Sequence, residues 1–223
     1  KTKFNHDNEI VEPHYYSVIL DEINTKVEFT VTERSSFFRF HFPRTADANI
    51  IIDAFFKNSE IEVIPNENKI IGIAKNNSGG VPENFANYFV IEFDRPFKKS
   101  GVWDGKGNII SKNRLKGKHV GAYVSFNTNK KEISNYPPIK TQELYDIIEV
   151  KVSSSFISHE QAWVNLKREL PENKSFEVIL AEGRESWNNE LSKIKVETEN
   201  TPYGISNKTK FYSSFYRTIL FPR

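Results

Sequence analysis

A change of hydrophobic period near residue 158 constrains the fold of this chain more than any other feature of its sequence. Before that point, apolar and polar residues alternate, as they do at Val27, Phe29 and Val31. This period of two turns one row of side chains toward a core and the other toward water, which is typical of half-buried strands. After it, apolar residues recur every three or four positions, as on an amphipathic helix. The sequence therefore predicts a β-rich body followed by helices.

The strand pattern recurs through most of the first 157 residues. Further alternating rows are Phe38, Phe40, Phe42; Phe89, Ile91, Phe93; Ala122, Val124, Phe126; and Ile148, Val150, Val152. Turn-forming stretches at residues 77–80 and 105–108 separate some of these segments. Many short strands without helical patterns between them favour stacked antiparallel sheets. We predict a mainly β fold, an antiparallel, supersandwich-like β-sandwich over residues 1–157 that is incomplete at its N-terminus. A barrel is the alternative.

Two or three helices are predicted after the sandwich. Ser158 is a good N-cap, and Gln161 follows three residues later, as in a capping box. This helix should end before Pro171, and a second helix should follow Ser175. A third segment carries an apolar stripe that reaches Ile219, and we expect that exposed stripe to cause self-association. Residues 158–223 are therefore assigned to a helical linker.

Composition excludes several function classes. The chain has 31 Lys and Arg against 29 Asp and Glu, a net charge of +2, which gives no basic surface for nucleic acid. No apolar run approaches the roughly 18 residues that a membrane helix needs, so no membrane span is predicted. Cysteine is absent, which excludes disulfides, thiolate metal sites and a cysteine nucleophile.

No catalytic or metal-binding motif is evident in the sequence. The five histidines lack the spacing of a metal-binding pair, and there is no nucleophile elbow, P-loop or dinucleotide-binding glycine motif. Glycoside hydrolysis needs paired carboxylates. Asp7, Glu9, Asp94 and Asp104 are interpreted as solvated surface groups, because nothing in the sequence indicates that a pair faces one cleft. We predict no catalytic residue and no metal ligand in this chain.

Trp103 is the residue best suited to contact a sugar. It follows a predicted strand in a glycine-containing loop at residues 100–105. An exposed indole can stack on the apolar CH face of a sugar while its N–H donates to a hydroxyl. The alternative is a packing role, in the core or between domains. Trp163 and Trp187 lie on helical stripes, where packing is expected.

Several motifs resemble those of glycoside hydrolase family 92. They are residues 154–162 (SSFISHEQA), 181–188 (AEGRESWN) and 211–218 (FYSSFYRT), and earlier residues 4–9 (FNHDNE) and 13–18 (PHYYSV). The two earlier motifs are similar to the strand-entry motif of the family, although His14 stands where the family usually has glycine. The likeness covers nearly the whole chain, and the order of the motifs makes the set more specific than any one of them.

The resemblance implies both a fold and an activity. The family comprises calcium-dependent, inverting exo-α-mannosidases with an N-terminal β-sandwich, linking helices and an (α/α)6 barrel, and their active site lies where the two parts meet. The chain is therefore expected to be the N-terminal portion of an α-1,2-mannosidase-type enzyme that acts on mannose-containing glycans. Its location would be secreted, periplasmic or on the surface of a bacterium. The catalytic residues and most calcium ligands would lie in the barrel, beyond Arg223, so this portion alone is expected to be inactive.

Three residues are the candidates for substrate binding: Trp103, His6 and Glu9. The last two come from the segment that is similar to the family's strand-entry motif. A non-catalytic carbohydrate-binding or surface-adhesion sandwich is the alternative function, and a purely structural interdomain module is a third. The predicted helix at residues 211–221 favours the hydrolase, because an adhesion module would not need to enter a helical domain. The partner expected on that basis is the enzyme's own C-terminal catalytic domain.

Overall fold

Eleven strands and three α-helices make up the described part of the chain. The structure, a computed structural model, describes residues 2–44, 48–77, 79–128 and 145–220. The strands are β1 (Ile10–Glu12), β2 (Tyr15–Leu20), β3 (Thr25–Val31), β4 (Ser35–Pro43), β5 (Ala48–Ile64), β6 (Lys69–Ala74), β7 (Asn87–Phe93), β8 (Lys99–Asp104), β9 (Ile109–Ile110), β10 (Arg114–Phe126) and β11 (Tyr145–Ser155). The helices are α1 (His159–Glu169), α2 (Phe176–Leu191) and α3 (Pro202–Leu220). The predicted mainly β fold with trailing helices is confirmed.

All the described strands belong to one antiparallel sheet. Their order is β1-β2-β3-β4-β11-β7-β6-β5-β10-β8-β9. The 17-residue strand β5 pairs with both β6 and β10, so it joins the two halves of the sheet. Because β1 and β9 form the two edges of the described sheet, it is not closed into the barrel that the sequence left as an alternative.

The sheet folds over so that its two halves enclose the main core. Phe93 on β7 and Phe126 on β10 have ring centroids 5.7 Å apart, although β7 and β10 are not neighbours in the sheet. Ile61, Ile148 and Val102 are fully buried in the same cluster. The sandwich is thus one continuous sheet packed on itself. Complete burial of such a side chain contributes about 1.5–3 kcal/mol.

The alternation along β4 divides its aromatic residues between two cores. Phe42 lies in the main core, and Phe38 and Phe40 pack against it. Phe37 points to the opposite side, where its ring lies 5.4 Å from that of Phe176 at the start of α2. The period-two pattern thus provides one face for the sandwich interior and one for the helices.

The first two helices begin where the sequence predicts, after Ser158 and after Ser175. Ser158 Oγ accepts the backbone N–H of Gln161 at 3.1 Å, and Ser175 caps α2 in the same way. The Gln161 side chain in turn donates from Nε2 to Asn165 Oδ1 at 3.0 Å, one turn further along α1. Leu166 buries the inner side of α1 against β7 and β11.

Helix α3 has most of its surface free of contact with the described residues. Only Gly204 is buried, whereas Tyr203 is 78% exposed. Its contact with α2 is made through Tyr216, whose ring lies 5.1 Å from that of Trp187. None of the described helices combines the length and the apolar character needed to cross a membrane. Self-association through this helix and a domain boundary after residue 157 stay predictions.

Candidate functional site

His6 and Glu9 form one cluster with Tyr16. A single 3-10 turn, capped by the Asn5 side chain on the Asp7 N–H at 3.0 Å, turns His6 back toward Glu9. His6 Nδ1 lies 2.6 Å from Glu9 Oε2, and the Tyr16 hydroxyl on β2 donates to Glu9 Oε1 at 2.6 Å. Both carboxylate oxygens are therefore engaged.

The hydrogen bonds to Glu9 determine what its carboxylate can do. The bond from Tyr16, followed by that from His6, lowers the pKa of Glu9, and the same bond raises the pKa of Tyr16. A carboxyl group that stays ionised near neutral pH accepts hydrogen bonds from hydroxyls but has no proton to donate as an acid. With the His6 side chain 83% exposed and that of Glu9 16% exposed, the cluster suits recognition of a polar ligand rather than proton transfer.

The position of Tyr16 is set by a row of aromatic rings. Its ring lies 5.4 Å from Phe29, which lies 4.9 Å from Phe38. Phe40 and Phe42 continue the row at 6.2 and 6.1 Å. This row runs across β2, β3 and β4 into the main core, so the hydroxyl that holds Glu9 is anchored by the packing of the sandwich.

Trp103 lies on the outer face of the sheet, outside the main core cluster. Its indole N–H donates to the carbonyl of Ala122 at 3.2 Å, and its six-membered ring covers Gly121 on β10. The hydrogen bond to a sugar hydroxyl that the sequence suggested is therefore replaced by one to the backbone. The side chain is only partly buried, and its ring remains the part that could contact a ligand.

The structure joins His6 to Glu9 but does not join Trp103 to either of them. Trp103 contacts residues of β10, whereas His6 and Glu9 contact each other and Tyr16. Strands β2 and β8 also lie near opposite ends of the strand order. Among the contacts of the described residues, none connects the two groups, so the contacts do not assemble them into one site.

Glu28 is a buried carboxylate that the sequence pattern did not reveal. It is 7% exposed on β3 and accepts hydrogen bonds from the Tyr15 hydroxyl at 2.5 Å, His41 Nε2 at 2.6 Å and Lys26 Nζ at 3.0 Å. Burial opposes its charge, but the bonds from His41, Tyr15 and Lys26 outweigh burial and lower the pKa of Glu28 to about 2. Alternation predicts only that Glu28 leaves the main core; its partners depend on strand pairing.

His14 departs from the family pattern but is accommodated by α2. It is 6% exposed, with Nε2 3.3 Å from Arg184 Nε and 3.4 Å from Glu12 Oε2. Burial lowers the pKa of His14. A Cβ at Gly183 would lie 3.3 Å from the Cβ of His14, so the glycine lets the helix approach the strand turn closely.

An open groove of 620 Å³ lies between α3, the end of α2 and the turn after β1. Its apolar lining includes Leu191, Ile205 and Tyr216, and Glu12 and Arg217 supply charge. The groove lies within the helical part of the chain and holds neither His6, Glu9 nor Trp103.

The described residues lack the clusters of acidic and histidine side chains that commonly bind metal ions in proteins. Within residues 2–44, 48–77, 79–128 and 145–220, no group of three or more His, Cys, Asp or Glu side chains could hold a metal ion. A calcium site of the kind that the family resemblance implies is therefore not formed by a cluster of three such side chains among these residues.

Family models match both parts of the chain. The glycosyl hydrolase family 92 N-terminal domain matches residues 1–135, and the family 92 catalytic domain matches residues 161–223. The second match contains α2, α3 and most of α1. No curated protein matches the chain. The resemblance that the sequence motifs indicated is confirmed.

Solved structures of mannosidases share the fold. An inverting mannosidase of family GH92 from Bacteroides thetaiotaomicron is 30% identical over 100% of this chain, with a TM-score of 0.84. An α-mannosidase of the same family and bacterium, in complex with mannoimidazole, is 26% identical over 96% of the chain, with a TM-score of 0.76. A third GH92 glycosyl hydrolase, 20% identical over 97% of the chain and 29% of its own length, has a TM-score of 0.80 and shows the fold alone. The chain spans 27% of the length of each of the first two proteins.

Proposed function

Because the chain belongs to glycosyl hydrolase family 92, we propose that it is the N-terminal portion of an inverting, calcium-dependent α-1,2-mannosidase-type enzyme. The observation that carries the proposal is the order of the two family matches, an N-terminal domain followed by a catalytic domain. The second match favours a hydrolase over a non-catalytic adhesion sandwich, because α2 and α3 lie within it. The solved relatives, an inverting mannosidase and an α-mannosidase, support the reaction class.

The sandwich would contribute recognition to a pocket shared with the rest of the catalytic domain. An inverting hydrolase needs an acid on one face of the sugar and a base with its water on the other. The lowered pKa of Glu9 favours a hydrogen-bond acceptor for sugar hydroxyls over an acid. His6, whose ring is largely exposed beside it, would add a second polar contact. Binding of the substrate by these two groups would raise kcat/KM without any proton transfer by either of them.

Calcium is proposed for the longer enzyme, with most of its ligands outside this chain. When bound, such an ion would hold sugar hydroxyls through its many oxygen ligands. We place the enzyme outside the cytoplasm of a bacterium, secreted, periplasmic or on the cell surface, where mannose-containing glycans of host cells would be met. Fractionation of the source cells followed by immunoblotting checks the location.

The decisive experiment compares this chain with the full-length enzyme encoded by its gene. Full-length protein should release mannose from an α-1,2-linked mannobiose, with the β-anomer appearing first in proton NMR, and a calcium chelator should abolish the release. The 223-residue chain alone should release none. Mannose release by the chain alone would contradict the shared pocket. Failure of the full-length enzyme on every α-mannoside offered would contradict the activity.

A further inference from the structure

The side chains of Trp103 and Tyr123 pack against the outer face of β8 and β10. Trp103 is paired opposite Gly121, and Tyr123 is paired opposite Gly101. A Cβ at Gly121 would lie 2.1 Å from Trp103 Cζ2, and one at Gly101 would lie 2.8 Å from Tyr123 Cε1. Each ring therefore covers a glycine of the other strand. A ring that rests on the backbone of a glycine directs its opposite face away from the sheet.

His119 and two phenylalanines extend this aromatic surface toward β5. The His119 ring lies 5.3 Å from Trp103 and 4.3 Å from Phe56. Phe56 is 55% exposed and Phe55 is 52% exposed. An open depression of 430 Å³ adjoins them and is lined by Phe56, His119 and the turn after β8. The Phe56 and His119 rings thus border a recess at one end of the aromatic surface.

The backbone that presents the phenylalanines is held in a conformation that side chains rarely adopt. Phe55, Lys57 and Asn58 have φ angles of 60°, 70° and 67°. The hydroxyl of the fully buried Ser59 donates to the carbonyl of Ala54 at 2.5 Å and fixes this irregular segment. Positive φ at a residue such as phenylalanine persists only where the surrounding structure imposes it, and such residues concentrate at functional sites.

The aromatic surface also carries two polar groups, the Asp53 carboxylate and the Tyr123 hydroxyl. Asp53 is paired opposite Gly121, and its Oδ1 accepts from His119 Nε2 at 2.9 Å and from the Phe55 N–H at 2.8 Å. Neither Asp53 Oδ2 nor the Tyr123 hydroxyl has a hydrogen-bond partner among the described residues. The Asp53 side chain is 43% exposed, so its second oxygen can receive a bond from a ligand hydroxyl.

This face lies away from the packing of the described helices. Helix α1 packs mainly on β7 and β11, and α2 packs on β3, all in the other half of the sheet. The inner side of β8 and β10 belongs to the main core through Val102, Ala122 and Val124. Aromatic side chains on the outer side are therefore not needed to fill the sandwich interior.

We propose that the outer face of β5, β8 and β10 binds the pyranose rings of a glycan. The CH face of a sugar would stack on Trp103 and Tyr123, while Asp53 Oδ2 and the Tyr123 hydroxyl bond its hydroxyls. A purely apolar partner would leave these polar atoms unsatisfied, at a cost in binding free energy. The choice of a mannose polymer as first ligand rests on the proposed function, whereas the stacking geometry does not.

The test is electrophoresis of the chain through native gels that contain a polymeric α-mannan, a β-linked glucan or no polymer. Wild-type chain should be retarded by at least one polymer. Trp103→Ala should raise the apparent dissociation constant at least tenfold, and Trp103→Phe, which keeps a ring, should raise it about threefold. Phe156→Ala is the matched control, because Phe156 is 66% exposed at the end of β11 and stacks on Phe85 elsewhere on the surface.

Two further measurements keep the outcome clear if Trp103→Ala is unstable. Asp53→Asn preserves the shape of the surface and should weaken retardation about threefold. The tryptophan emission of the wild-type chain should shift on addition of the retarding polymer, and this shift should disappear in Trp103→Phe. Near-ultraviolet circular dichroism verifies that each variant is folded.

Any one of three results would overturn the inference. The first is a wild-type chain that neither polymer retards, and the second is equal retardation of wild type and folded Trp103→Ala. The third is an equal loss of retardation in Phe156→Ala and Trp103→Ala. Retardation combined with an inactive full-length enzyme would refute the proposed mannosidase activity alone. Mannose release by the full-length enzyme without any retardation of the chain would refute the sugar-binding surface alone.

Discussion

Replacement of Glu28 tests how firmly the hydrogen-bond network joins β2, β3 and β4. The side chain is 9% exposed and accepts bonds from Tyr15, Lys26 and His41. These bonds overcome the cost of burial and lower its pKa from 4.5 to about 2. A pKa difference of roughly 2.5, at about 1.36 kcal/mol per pKa unit, means that the ionised Glu28 carboxylate contributes about 3 kcal/mol to the free energy of unfolding.

The pH dependence of this contribution has a definite sign. Because the pKa of Glu28 is lower in the folded state than the ordinary 4.5, the contribution is fully present above that value and is lost as the pH falls through about 2. Glu28→Gln should therefore reduce the free energy of unfolding by about 2–3 kcal/mol at neutral pH. The difference between wild type and variant should shrink steadily as the pH is lowered toward 2.

Glu177 on α2 supplies a matched control. Its pKa is also lowered to about 2, chiefly by the hydrogen bond from Arg39, but its side chain is 65% exposed. Water screens such a pair, so Glu177→Gln should cost less than about 1 kcal/mol. Urea unfolding followed by tryptophan fluorescence measures both variants between pH 7 and pH 3. Equal losses in the two variants, or a loss in Glu28→Gln that does not change with pH, would refute the reasoning.

Three other outcomes are expected. In the full-length enzyme, Glu9→Gln should raise KM about tenfold with a smaller change in kcat, because a charged acceptor for sugar hydroxyls is lost. The control Glu22→Gln, at an exposed position, should leave both constants unchanged, and an unaltered KM in Glu9→Gln would remove Glu9 from substrate binding. Ile179→Ala, at a site that is 1% exposed, should lower the free energy of unfolding by about 2–5 kcal/mol. Val178→Ala, at 43% exposure, should lower it by less than about 1 kcal/mol, and similar urea midpoints for the two variants would contradict the placement of α2. The chain should associate in a concentration-dependent manner through α3, and Tyr203→Ser should weaken this in light scattering; a strict monomer at high concentration would count against it.

The candidate site was partly predictable, because one of its contacts joins residues close in the sequence whereas the others require strands to pair. His6 and Glu9 are three residues apart, so one 3-10 turn is enough to bring them together. Tyr16 could not be assigned to them from the sequence, since its hydroxyl reaches Glu9 only after β1 pairs with β2. The burial of Glu28 was missed for the same reason: alternation gives the face of a strand, but not the partners across it.

The role of Trp103 also depended on strand pairing. Its position in a glycine-containing segment after a strand pointed to sugar contact, and that remains a prediction. The sequence did not indicate that Gly121 would lie beneath the ring or that the Ala122 carbonyl would accept its N–H. Both follow from the register of β8 against β10, which brings together residues 18 and 19 positions apart in the chain.

The sequence by itself determined the strand and helix classes, the cap at Ser158, the start of α2 after Ser175 and the family. These features depend on short-range periodicity, local hydrogen bonding and ordered motifs. Tertiary structure alone decided that one continuous sheet forms the sandwich, that Glu28 is buried with three donors, and that the rings of Trp103 and Tyr123 lie on glycines of a neighbouring strand. The physical reason is that hydrophobic periodicity specifies which face of a strand is buried, whereas the side chains that meet there are chosen by pairing and register between distant segments.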